Sequence, residues 1–437
     1  LTLPEIPCSI GPIHFKVLIL LHNALDFLSR ARFKIALRSR LLIDLVLLVV
    51  GIVLALLGGT SVLELIGAST TIVAVVLMAT NLWEAWQRNQ KTRVVENEEF
   101  MDVLTTSALP AGFDLRIGAL GAGQDFRSLG VTAARPYAMS DAVNQRLDEA
   151  RNPIVLESKK YTVPFALQGY RDRCINIRNP NRNDPKIGLR TDVTVDALEG
   201  NQTFRLQRTD YFSGAATNEM ACEQFESASE SGAGRASLIF AVSDLVVRNR
   251  ELLGLSESAL SNHIGVSTLV LTADHHIVIQ DQGAQTISAN ETAVGASGSL
   301  DLRDIDETRI AAPTLQGLVR FGMEREAQEE LSAAFDIGRK NTILTGYARY
   351  LARGGKPEFF GISRTTSTLS TLKATGADKR YVSGIWGRPF TPTNEGLLQV
   401  IDQLLDEGRT ARRRYSLSMV VTLRSARDHI ARNGIDL

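Results

Sequence analysis

The sequence predicts a membrane-anchored α/β protein, with an N-terminal two-helix transmembrane hairpin followed by a cytosolic α/β/α sandwich domain with α+β shoulders. Three observations predict it. Two apolar runs, Leu41–Leu57 and Val62–Trp83, stand back to back, separated only by Gly58, Gly59, Thr60 and Ser61. Far downstream, two strand-like segments, Thr268–Thr272 and Ile277–Gln280, flank the polar turn Ala273–His276. After them comes Met323–Ala333, MEREAQEELSA, with helical periodicity and three carboxylates on one face.

The apolar runs come first. About 17–25 apolar residues suffice for a helix to cross a bilayer, so both qualify and the four-residue join returns the chain to the side it left. Arg30, Arg32, Lys34, Arg38 and Arg40 precede the first run, Arg88, Lys91 and Arg93 follow the second, and the turn carries no positive charge. Basic flanks stay on the cytoplasmic side. Both termini and the C-terminal domain are therefore expected in the cytoplasm, with the hairpin in a bacterial inner membrane. Trp83 and Trp86 suit an interfacial belt, and Gly67, Thr71 and Ala74 form a small-residue stripe that permits close helix contact and a homo-oligomer. Residues 1–40 read as a basic, amphipathic segment, 41–87 as the hairpin, 88–160 as linker and lead-in, and 161–437 as the cytosolic domain with a core at about 261–362.

Composition bounds the rest. The formal net charge is +0, so no global field favours nucleic acid and no DNA binding is expected. Cys8, Cys174 and Cys222 have no metal-ligand spacing and read as reduced thiols. Gly118–Gly123 lacks the Lys-Ser/Thr of a phosphate loop and reads as a plain loop. Strands are expected at Tyr161–Gln168, Thr203–Phe212, Thr342–Leu351, Phe359–Ile362 and Ser416–Leu423, and helices at Leu397–Leu405 and Arg424–Asn433.

The chemistry centres on Met323–Ala333. On a helix Glu326, Glu329 and Glu330 are related by i, i+3 and i+4, so their charges share a face and repel. A hard divalent cation with oxygen ligands would relieve that repulsion, with Arg320 and Arg325 bracing the flanks. Leu318, Phe321 and Leu331 can face the core.

This segment resembles the box of the Nudix hydrolases, G-x5-E-x7-R-E-U-x-E-E-x-G-U, where U is a bulky aliphatic residue. Arg325, Glu326, Glu329 and Glu330 match R-E-x-x-E-E in spacing. Ala327 stands at the first U, Ser332 replaces the glycine, and Ala333 stands at the final U. At strict spacing Gly317 falls where glutamate belongs and Ala311 where the first glycine belongs; Gly298 is the better opening glycine, with an insertion through Asp301–Gln316. The resemblance implies that Glu326, Glu329 and Glu330 are the catalytic carboxylates and hold Mg²⁺ or Mn²⁺ against a diphosphate. Gly298 and Arg325 would lie beside the bound cofactor, Arg325 orienting the carboxylates, with Glu358 a candidate general base.

A two-span hairpin ahead of such a domain looks like the membrane effectors of bacterial CBASS antiphage systems. That resemblance implies a domain that senses a cyclic oligonucleotide made by a partner nucleotidyltransferase, self-associates, and drives the hairpins to disrupt the lipid bilayer. The alternative is a membrane-anchored, Mg²⁺-dependent hydrolase of a nucleoside diphosphate derivative or lipid-linked diphosphate. A third reading is an anchor that binds a protein partner.

Overall fold

The computed structural model describes residues 98–118, 135–164, 183–227, 243–283, 291–307, 313–336, 340–373, 382–409 and 414–437, with short pieces at 48–49, 52, 71, 73–75, 92–96, 167 and 236–238. Of the predicted hairpin at 41–87 only the short pieces at 48–49, 52, 71 and 73–75 are described; the segment 1–40 and most of the Gly118–Gly123 loop lie outside the described residues. Among the described residues no helix is long and apolar enough to cross a membrane. The chain divides into two compact units, one of residues 1–94, 169–183 and 225–238, the other of 95–168, 184–224 and 239–437. Described backbone in the first is confined to short pieces.

The second unit carries the core and the site. Its strands that matter here are β1 (Asp114–Ile117), β2 (Pro136–Met139), β3 (Ile154–Lys160), β4 (Pro185–Leu189), β5 (Phe204–Asp210), β6 (Gly265–Leu271), β7 (His276–Gln282), β8 (Thr292–Val294), β9 (Ala296–Ser299), β10 (Thr342–Tyr350), β11 (Lys356–Arg364) and β12 (Val382–Pro389). The helices that matter here are α1 (Asp141–Leu147), α2 (Leu302–Glu307), α3 (Leu315–Leu331), α4 (Asn394–Arg409) and α5 (Leu417–Asn433). Nine strands form one mixed sheet in the order β8-β7-β6-β11-β10-β2-β1, with β9 also pairing with β6 and β12 with β7. β6 and β11 run parallel and the remaining pairs antiparallel. β3, β5 and β4 form a second, three-stranded sheet with β5 in the middle.

All seven residues of β6 are buried, as a strand covered on both faces requires. Val266 packs on Leu318, Val319 and Met323 of α3. Leu269 and Leu271 pack against α4 and α5 on the other side, with Leu397, Ile401, Met419 and Leu423. Each such aliphatic side chain contributes about 1.5–3 kcal/mol when fully buried. This is the expected α/β/α sandwich, and the hairpin of β6 and β7 turns at His275, whose φ of 59° lies in the left-handed region.

Several local expectations are corrected. Residues 88–160, read as linker and lead-in, supply β1 and β2 to the nine-stranded sheet. The strand expected at Tyr161–Gln168 lies one step earlier, as β3, and ends at Lys160. Ser416–Leu423, expected as a strand from its Val-Val-Thr run, opens α5 instead. The Ser416 side chain accepts a hydrogen bond from the Met419 N–H at 3.2 Å, and Met419, Val420, Leu423, Ala426 and Ile430 make one buried helical stripe. Capping and the 3.6-residue period outweigh β-branching there.

Candidate functional site

Helix α3 sets the site. Its first turn is capped by Thr314, whose Oγ1 accepts from the Gly317 N–H at 3.1 Å. Leu315, Leu318, Val319, Met323, Ala327 and Leu331 are fully buried, and their spacing of three, four and eight residues is a helical stripe that fixes which flank of α3 is left for charge. The helix ends at Ser332, which has φ 57° and ψ 30°. A glycine there would adopt this left-handed conformation freely, whereas serine pays about 1 kcal/mol.

Arg325 is the hub. Its side chain is 6% exposed, and its Nε and Nη2 donate to the two Asp304 carboxylate oxygens at 2.6 and 3.1 Å. Nη2 also donates to the Ser299 carbonyl at 3.2 Å and lies 3.0 Å from Glu326 Oε1, while Nη1 donates to Glu329 Oε2 at 2.9 Å. Asp304 is fully buried on α2, and its Oδ2 also accepts from the Asp301 N–H at 2.8 Å. Burial holds the Asp304 carboxyl above its usual range against the pull of Arg325. For Arg325 burial acts to lower the pKa, but the Glu326 charge and the Asp304 hydrogen bonds prevail and keep the guanidinium protonated. The pair is ionic, since its two parallel hydrogen bonds need a carboxylate facing a charged fork.

Asp304 is the residue that sequence spacing missed. It stands five intervening residues after Gly298, where the Nudix pattern G-x5-E puts its glutamate. Twenty residues then separate it from Arg325, where the pattern has seven. An aspartate at that spacing, and the length of chain before Arg325, hid the pairing from a fixed-gap reading; Gly317, which strict spacing put at the glutamate position, belongs to the N-terminal turn of α3.

The three predicted carboxylates have different surroundings. Glu326 is buried beneath β9, so close that a Cβ on Gly298 would lie 2.2 Å from its carboxyl carbon. Burial raises its pKa, the Arg325 and Lys186 charges oppose that, and Glu329 and Asp301 add to it. Glu329 is 37% exposed and pairs with both Arg325 and Arg303. Glu330 Oε2 accepts from the Gln280 side-chain amide at 3.1 Å and from the Ser297 N–H at 3.2 Å. Two cations come from outside the helix. Lys186 of β4 pairs with Asp301, each 13% exposed, and Arg303 of α2 pairs with Asp301 at 3.2 Å as well as with Glu329. Burial acts to raise the Asp301 pKa, but Lys186, Arg325 and Arg303 together hold it below the ordinary carboxylate range.

A divalent cation held by Glu326, Glu329 and Glu330 together would need the three groups to converge with free oxygens. Glu326 turns under Gly298, Glu329 bridges two guanidiniums, and Glu330 is tied to Gln280 and Ser297. Among the described residues no three acidic, His or Cys side chains form a group able to hold a metal ion. As arranged, the donors do not fit the Mg²⁺ or Mn²⁺ that the box implies.

Two other expectations move elsewhere. Arg320 does not brace the carboxylates; it donates to Asp148 Oδ1 at 2.7 Å, while Lys340 pairs with Oδ2 of the same carboxylate. Glu358 lies on the far face of the sheet. Its neighbour Phe359 packs with Leu318 and Met323 of α3, so strand alternation turns Glu358 away. There it pairs with Lys356 at 2.8 Å, both about 4% exposed.

No protein-family model and no curated protein matches the sequence. Solved structures similar to part of it include the MutT protein from Methanosarcina mazei Go1, at 9% identity over 38% of this chain and 94% of that one, with a TM-score of 0.22. RenU, a Nudix hydrolase from M. smegmatis, is 12% identical over 40% of this chain and 90% of its own, with a TM-score of 0.23. DR0079 from Deinococcus radiodurans is 17% identical over 38% of this chain and 97% of its own, with a TM-score of 0.22.

Proposed function

We propose that this chain is a membrane-anchored nucleotide sensor, built like the CBASS effectors, whose Nudix-like domain binds a cyclic oligonucleotide more strongly than it turns over any diphosphate. One observation supports the reading. Arg325 grips Asp304 of α2, and Glu326, Glu329 and Glu330 stand on the same helix as Arg325, yet these carboxylates are committed to the chain's own donors. In this reading the hairpin lies in the bacterial inner membrane with both termini cytoplasmic, and a partner nucleotidyltransferase supplies the ligand. Binding clusters the domains, and clustering raises the effective concentration of the tethered spans, which then damage the bilayer.

The second reading is a hydrolase of a nucleoside diphosphate derivative or a lipid-linked diphosphate, favoured by the intact R-E-x-x-E-E spacing. The test is a panel of cyclic oligonucleotides and nucleoside diphosphate derivatives presented to the full chain in detergent or vesicles, scoring binding, cleavage and dye leakage separately. Tight binding of a cyclic oligonucleotide with ligand-triggered leakage and no product is the expected result. Brisk Mg²⁺-dependent cleavage without leakage would replace the sensor with the hydrolase.

A further inference from the structure

Arg349, near the end of β10, has a side chain only 2% exposed, and no part of the α3 site uses it. Its Nε donates to the Gly355 carbonyl at 2.9 Å and its Nη1 to the Leu253 carbonyl at 2.8 Å. Both partners are neutral. Among the described residues the one carboxylate paired with it is Asp192, 3.8 Å from Nη1 and 30% exposed. Asp192 Oδ1 is already engaged by the Leu255 N–H at 2.8 Å. Nη2 is buried and has no hydrogen-bond partner. Tyr347 stands two residues earlier on β10, so the two side chains leave the same face of the sheet. Its ring lies 4.9 Å from that of Phe359, while its hydroxyl is buried and also without a partner. The phenol and the guanidinium act on each other electrostatically, and Asp192 acts on both. Gly355, with φ 73° in the turn between β10 and β11, keeps bulk away from Nη2. A Cβ there would lie 2.6 Å from Nη2, and outside the turn only Arg349 comes within 3.2 Å of that point.

We infer that Arg349 Nη2 and the Tyr347 hydroxyl bind a chloride-sized monovalent anion inside the fold, beside the turn that joins β10 to β11. Burial pulls the Arg349 pKa down, but a guanidinium stays protonated in a protein. A buried charge is strongly unfavourable unless it is both hydrogen-bonded and neutralised. Carbonyls supply hydrogen bonds without charge, and Asp192 stands too far off and too wet to supply the rest. A water molecule would accept from Nη2 and from the hydroxyl yet leave the charge; a small anion answers both. With both donors buried, the site suits a single ion and excludes the phosphates of a nucleotide. The inference is therefore independent of the α3 site and of the ligand proposed for this chain.

The experiment follows thermal unfolding of the full chain while sodium chloride replaces sodium gluconate at constant ionic strength, so that screening does not change. An ion that binds only the folded state raises the midpoint along a saturating curve. That curve is expected for the parent, and bromide should reproduce it. Y347F keeps the ring and removes one donor, so its half-saturating chloride should rise by about tenfold. D192N keeps an oxygen for the Leu255 N–H and removes the competing negative charge, so it should bind chloride about threefold more tightly. Two outcomes overturn the site. One is a parent midpoint indifferent to chloride, which would leave the guanidinium to water and Asp192. The other is a response of the same affinity in the parent, Y347F and D192N, which would place the ion elsewhere on the molecule.

Discussion

The two faces of the central sheet each bury a group of charges, and each buried carboxylate lies over a glycine. On the α3 face Glu326 covers Gly298; on the other face Glu358 covers Gly265, where a Cβ would lie 1.9 Å from Glu358 Oε2. The resemblance ends there. The Glu358 group is closed and balanced: Lys356 pairs with Glu358 at 2.8 Å and approaches Glu219 at 4.0 Å, while Arg353 pairs with Glu219 at 3.0 Å. The α3 group is graded and acid-rich, running from fully buried Asp304 through Arg325 to Glu329 and Arg303, which are 37% and 49% exposed. A balanced, sealed group has nothing to offer a ligand. An acid-rich group that opens toward solvent can exchange its outermost partner, and that separates a structural ion cluster from a candidate site.

The largest effect should come from the sealed side. K356M leaves Glu358 buried beside an apolar chain and should cost about 3–5 kcal/mol, whereas replacing the pair together, as K356M/E358L, should recover most of it. Denaturant midpoints decide this, and a mild effect of K356M alone would mean that water reaches Glu358. On the α3 side R325M should be comparably severe, because it strands Asp304, so the two faces diverge only toward the rim.

Next come the glycines. G265A and G298A each push a Cβ into a carboxylate and should each lose about 1–3 kcal/mol by overpacking. G265A should be the worse, since Glu358 is held by buried Lys356 while Glu326 lies closer to the open rim. The reverse order in thermal unfolding would contradict the ranking of the two sides.

His263 feels both groups, through Lys356 and Glu219 on one hand and Lys186 on the other. Burial, with the two lysines, depresses its pKa to about 3, and its Nε2 lies 2.9 Å from the Asp210 carbonyl oxygen. The unfolded chain protonates this ring below about pH 6.5 while the folded one does not. Its contribution is therefore complete above pH 6.5 and falls as pH drops toward 3, by up to about 1.4 kcal/mol per pH unit. Comparing parent and H263Q stability at pH 7, 6 and 5 checks this; parallel curves would place a proton on the folded ring. The smallest effect belongs to the rim: R303Q should change stability by no more than about 0.5 kcal/mol, as exposed pairs do.

What the sequence disclosed followed from periodicity. The 3.6-residue stripe on α3 and the two apolar runs around the polar turn Ala273–His276 are local patterns, and both became the expected helix and hairpin, though β6 is buried on both faces where a half-buried strand was expected. That Arg325, Glu326, Glu329 and Glu330 stand on one helix followed from the same period. Lys186 was not legible, because its partner Asp301 lies 115 residues away and only the β4 bridge brings them together. Gln280 was hidden differently: it ends a continuously buried stretch of β7, Ile277–Gln280, and nothing local says that its amide will hold Glu330. The tail of the chain misled through Val420 and Val421, whose branching suits a strand, while one serine hydroxyl at Ser416 decided for helix.

The twenty residues between Asp304 and Arg325 bear on how such motifs are recognised at all. Spacing in a motif measures chain length, but the contact it encodes is a distance in space, here 2.6 Å. Lengthening a loop from seven residues to twenty adds only about 1 kcal/mol of closure entropy, because that cost grows with the logarithm of length. A bidentate buried ion pair is strong enough to absorb it. Chain can thus lengthen between two contacting residues at little thermodynamic cost, and a fixed-gap pattern will pass over a contact that the longer chain leaves intact.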